Sequence, residues 1–163
     1  DACVGIHPSY FSFLNHNQIE KEINRLKEIL NNKVEFSRNH YLRFSIPQTY
    51  QSLIDLGIKK DFTMGYSDAV GFRAGICSPF HFFDLSSNEV TDLQIIPFAY
   101  MDGVLKDQMK LDDQMAITKI KALKNEVKDV SGCFVGIWHN ESLSEQGRWK
   151  GWREVYESSF SSS

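Results

Sequence analysis

The sequence predicts an α/β fold built from parallel strand–helix units, and three observations predict it. Short apolar runs of strand character alternate with segments whose apolar residues recur at helical spacing. Residues that start and stop helices stand between them. Three of the five histidines, His7, His40 and His139, lie at or just past the C-terminal end of a strand-like run. That is where parallel sheets and barrels gather their ligand-binding groups. The expectation is therefore that these three imidazoles share one face of a parallel sheet or partial barrel.

The first strand is read in "CVGIH", residues 3–7. A helix is predicted near 17–31, with Ile19, Ile23, Leu26, Ile29 and Leu30 on its apolar side and Asn15 with Gln18 marking its start. "KVEFS" is a short strand. In "SIPQTYQSLIDLG", Pro47 suits the first turn of a helix, Gly57 its C-terminal cap, and Tyr50, Leu53 and Ile54 its inner face. Residues 61–92 are irregular and aromatic, with a strand possible in "GFRAGIC". "LQIIPFAYMD" reads as a strong strand, and "LDDQMAITKIKALKNEVKDV" as a helix carrying Ala116, Ile120, Leu123 and Val127 inward. "GCFVGIW" is the last strand. "RWKGWREVYESSF" is the last helix, with Trp149, Trp152, Val155 and Tyr156 at helical spacing.

Composition bounds the function. At 163 residues with net charge −3, the chain suits one domain and gives no electrostatic reason to expect nucleic acid or an anionic membrane. No apolar run approaches the ~20 residues of a membrane span. Cys3, Cys77 and Cys133 are odd in number and form no CxxC pair, so they read as free, mostly buried thiols in a reducing, cytoplasmic setting. The chain enters a strand almost at once from Asp1, as a piece of a longer protein would. Of the remaining histidines, His16 in an Asn-rich loop and His81 between Phe80 and Phe82 read as structural.

Together, "GIHPSY", "SRNHYLRFSIPQTYQSLIDLGIKKDFTMGY", "GFRAGICSPF" and "WHNES" resemble the NodB-like polysaccharide deacetylases, closest to a divergent bacterial branch where such phrases fall in the C-terminal part of a longer chain. The resemblance runs from Val4 to Tyr156. It implies the C-terminal part of a distorted (β/α) barrel, with residues 1–163 as one partial catalytic domain lacking its N-terminal strands. It also implies metal-dependent removal of an N-acyl group, usually acetyl, from an amino sugar. The cofactor would be a divalent metal, zinc in the first place, held by one aspartate and two histidines.

Carried over by position, His7 matches the second histidine of the family's His-Ser/Thr-x-x-His metal motif, and Cys3 stands where the first would be. Arg38 matches the arginine of the Arg-x-Pro motif, as a catalytic residue, with His40 in place of the proline. His139 matches the Leu-x-His motif that supplies the general acid. Arg73, Trp138 and His40 are the expected substrate-binding residues, and Asn140 or Glu141 the groups expected to orient His139. The aspartates of the first motif would lie upstream of Asp1. The departures at Cys3 and His40 keep a second reading open, a catalytically lapsed barrel that binds saccharide without turnover. A hydrolase of small cyclic amides is a third, since the family includes such members.

Overall fold

The side chain of Asn15 accepts the backbone N–H of Gln18 and so starts helix α1 (His16–Leu30), which buries Ile19 and Ile23 and ends on Asn31 in the left-handed region. This matches the sequence expectation except at Ile29, which is exposed. The computed structural model describes residues 2–160. These fall into two units, one drawn from Asp1–Met64 and Ser78–Pro97, the other from Gly65–Cys77 and Phe98–Ser163.

The first unit holds a four-stranded sheet in the order β1 (Phe36–Ser37), β2 (Lys60–Asp61), β4 (Glu89–Ile95), β3 (Phe80–Asp84). β1, β2 and β4 run parallel, and β3 lies antiparallel to β4. The expected first strand is reduced to one parallel bridge, Ile6 to Ser37. Helix α2 (Gln48–Asp55) begins after Pro47, and Gly57 follows its end at φ +82°. Ile23, Val34, Tyr50, Leu53, Ile58, Phe82, Leu93 and Ile95 are buried in this unit.

The second unit pairs β5 (Tyr100–Met101) with β6 (Gly136–Ile137) in parallel, Tyr100 opposite Gly136 and Met101 opposite Ile137. Helix α3 (Asp113–Asp129) is capped by Asp112, whose carboxylate accepts from Met115 N–H. Helix α4 (Trp152–Phe160) brings Trp152 and Val155 onto a core of Tyr100, Leu105, Ala116, Ile120, Leu123 and Trp149. Trp149 itself sits in a 3₁₀ turn ahead of α4, because Gly151 at φ +87° interrupts the expected helix.

Three strand expectations are corrected. "LQIIPFAYMD" is two strands in different sheets: β4 stops at Ile95, Pro97 has no N–H to continue a ladder, and pairing resumes at Tyr100. "GFRAGIC" is a run of turns, since Gly71 at φ +111° and Gly75 at φ +73° are outside strand geometry. "FHFFD", within the stretch expected to be irregular, is β3 of a hairpin. The cysteines are free, but Cys3 is exposed and Cys77 and Cys133 are half-buried. At Cys3 the cause is local, since among the described residues the segment makes no ladder contact before Ile6. Among the described residues no helix is long and apolar enough to cross a membrane.

Candidate active site

In the second unit the two parallel strands end side by side, and their first polar residues meet. Asp102 follows β5, His139 follows Trp138 at the end of β6, and the His139 Nδ1 lies 2.6 Å from Asp102 Oδ1. The His139 backbone N–H also donates to Oδ2 at 2.7 Å, and Gly103 N–H to Oδ1 at 2.7 Å. The Asp102 carboxylate is fully buried while the imidazole is 46% exposed. Burial pushes the Asp102 carboxyl up, but the hydrogen bonds from His139 and Ser142 and the attraction of His139 outweigh it and hold it below its usual range.

A carboxylate only accepts, so Nδ1 must carry the proton shared with Asp102. Nε2 is the ring's other nitrogen, on an imidazole whose charged form the carboxylate favours. The expectation that Asn140 or Glu141 orients the ring is corrected. Asp102 does so, and Glu141 instead pairs with Arg148 at 3.2 Å.

Trp138 fixes the approach. Its Nε1–H donates to Tyr100 Oη at 3.1 Å, and its ring packs edge-on against Tyr100 and Tyr156. Gly136 makes room for this: a Cβ there would stand 2.3 Å from the Tyr100 ring. Arg73 is exposed in the Gly-rich turns of the same unit.

In the first unit His7 and His40 meet. His7 Nδ1 is 2.6 Å from the Arg38 carbonyl, and His7 Nε2 is 2.8 Å from His40 Nδ1. The carbonyl accepts, so His7 carries its proton on Nδ1. In the neutral pair His40 then donates from Nδ1 to His7 Nε2. What the structure assigns to Arg38 is this backbone role; its side chain is half-buried.

A backbone carbonyl on the far nitrogen is the usual device that orients a metal-binding imidazole. His7 Nε2 and His40 Nδ1 could both ligate a divalent ion only if the ion displaces the 2.8 Å hydrogen bond in which the two nitrogens face each other and His40 Nδ1 gives up its proton. Among the described residues no group of three or more His, Cys, Asp or Glu is placed to hold a metal.

Beside the pair lies a network the sequence reading missed. Asn39 N–H donates to Thr63 Oγ1 at 3.0 Å, and Thr63 donates from both its hydroxyl (2.8 Å) and its backbone N–H (3.0 Å) to Asp61. Asp61 is fully buried, and burial pushes its carboxyl up to about 6 despite the bonds from Thr63. Of the other histidines, His16 Nδ1 is 2.8 Å from Ser52 Oγ, and His81 Nδ1 is 2.9 Å from the Thr91 carbonyl.

Asp102 also escaped the sequence reading. Its signal was positional, an aspartate directly after the strand-like run that ends "FAYM", as His139 directly follows "GIW". No protein-family model, curated protein or solved structure matches the chain.

Proposed function

We propose that the chain is the catalytic part of a metal-dependent hydrolase that removes an N-acyl group, chiefly acetyl, from an amino sugar in a glycan or glycan precursor, on the C-terminal part of a (β/α) barrel. The observation that carries this reading is the Asp102–His139 pair. Amide hydrolysis stalls at expulsion of the amine, which leaves only when its nitrogen is protonated. An exposed imidazole whose Nδ1–H is held by a buried carboxylate is built to deliver a proton from Nε2 at that step. The C–N bond then breaks, the proton ends on the sugar nitrogen, and the acyl group leaves as the acid.

His7 and His40 would hold the metal, with the Arg38 carbonyl fixing the His7 ring. A bound zinc ion supplies a water of pKa ~7 and polarises the acyl carbonyl. Arg73 is the cation of the second unit that this reading assigns to substrate.

The test is amine release from N-acetylated chitooligosaccharide, with metal analysis of the same preparation. Release that stops with chelator and returns with zinc is the expected result, and His7→Ala should lose most of the bound ion. Saccharide binding without release, zinc present, would favour the lapsed barrel instead. Absence of both binding and release would end the carbohydrate reading.

A further inference from the structure

A cavity of about 340 Å³ opens in the first unit, walled by the segment from Pro8 to Leu14, the first turns of α1, Asn39, His40, Arg43 and the start of α2. We propose that it is a binding pocket for a sugar unit bearing a carboxylate, with Arg43 as the partner of that carboxylate. Its volume is at the small end of the range for ligand pockets, enough for one ring-sized group.

The walls are mostly apolar, and the charge on them is of one sign. The Arg43 guanidinium lies 4.5 Å from the Tyr10 ring centroid and 4.2 Å from that of Phe13. Two aromatic faces thus hold the cation in place. Among the described residues no Asp or Glu lines the cavity. Glu22, whose carboxylate reaches Ser9 and Ser12 of the cavity wall, is engaged by Ser9, Ser12 and Gln18. Among the described residues Arg43 enters no ion pair.

Asn39 lines the same wall, but its amide nitrogen is sealed from water and so lies out of a ligand's reach in this conformation. The backbone leading to Arg43 carries strain as well: Tyr41 at φ +54° and Leu42 at φ +52° are consecutive left-handed residues without glycine.

An apolar, aromatic-walled cavity with a fixed unneutralised cation matches a pyranose ring with an acidic substituent. A guanidinium gives a carboxylate two parallel N–H donors, which a neutral sugar cannot use. The proposal deepens the carbohydrate reading, resting on it for the sugar body of the ligand, and it is tested by binding rather than turnover.

Calorimetric titration of the full chain should compare the disaccharide of glucuronate and N-acetylglucosamine with N,N′-diacetylchitobiose, which has the same size and no charge. The acidic disaccharide should bind at least tenfold more tightly. Arg43→Gln should weaken it by roughly 10- to 100-fold, the worth of a hydrogen bond to a charged group, and barely touch the neutral one. Should Arg43→Gln not fold, amide shifts in the wild-type chain decide the matter, since the acidic sugar must perturb residues 8–16 and 39–43.

Equal affinity for the two disaccharides, no binding of either, shifts elsewhere, or full competition by inorganic phosphate at the same concentration would each overturn the proposal. Amine release that depends on His139 would survive any of these results. A carboxylate preference without amine release would instead retire only the hydrolase.

Discussion

Asparagine at Asp102 is expected to lower amine release by roughly 10²- to 10⁴-fold, the range general acid catalysis supplies, with little change in substrate affinity. The amide has nearly the shape of the carboxylate but can donate where the carboxylate only accepts. It permits the imidazole to reverse its tautomer and removes the charge that favours the protonated ring. His139→Asn should cost as much, and the double variant little more, because the two residues act as one unit. The turnover number against pH is the decisive readout. In the wild type its alkaline limb reports the acid, and in Asp102→Asn that limb should move to lower pH. Unchanged turnover in a folded Asp102→Asn chain would make the pair a strand clasp and nothing more.

The second large effect is on stability and comes from Asp61. Its folded carboxyl is raised from 3.8 to about 6, so the native state holds its proton more tightly than the unfolded chain. The sign follows: stability from this group is fully present below about pH 4 and is lost as pH rises through about 6, by about 3 kcal/mol in all. Asp61→Asn cannot ionise and should flatten that part of the curve. It loses one acceptor for Thr63, at about 1 kcal/mol, so the slope between about pH 4 and pH 7 is the test and the absolute stability is not. Urea midpoints measured across this window should fall with pH in the wild type and hold level in the variant. Parallel slopes would mean that Asp61 is already ionised in the fold. Asp102 runs the opposite way, since its carboxyl is held low. Its contribution is present above the usual carboxylate value and fades only in acid.

The helices were legible because their signals are local. Asn15 and its bond to Gln18, Gly57 after α2, and the apolar spacing from Ala116 to Val127 all lie within a few turns. The strands were less so. A two-residue strand such as Phe36–Ser37 is defined by its neighbour, and an apolar run says nothing about where pairing stops. Pro97 was the one local sign that "LQIIPFAYMD" breaks. The hairpin of β3 and β4 had a sign too, "DLSSNE", with Asn88 in the left-handed region at φ +55°.

The site divides the same way. His7 and His40 were singled out, and the structure brings them together, while His139 was singled out without its carboxylate. Asp102 is 37 residues away. Spacing along the chain carries no trace of a register that sets Tyr100 against Gly136. Asp61 likewise reads as a surface acid between Lys60 and Phe62 until β1 and β4 close on either side of it.

The path of the chain between the two units bears on how the protein is made. It passes from the first to the second after Met64, returns after Cys77, and leaves again after Pro97. As the chain emerges from the ribosome, the first unit cannot close before β4 has been synthesised. The segment Gly65–Cys77 emerges earlier than its partners in the rest of the second unit, among them Ala99, which accepts from Gly71 N–H, and Cys133, which donates to the Cys77 carbonyl. Val70 and Phe72, which pack against the second unit's core, thus wait until that core, through α4, has been synthesised. Such an interval is what chaperones recognise. A single cut after Pro97 keeps the first unit whole, with Gly65–Cys77 as an added loop, but no single cut frees the second intact.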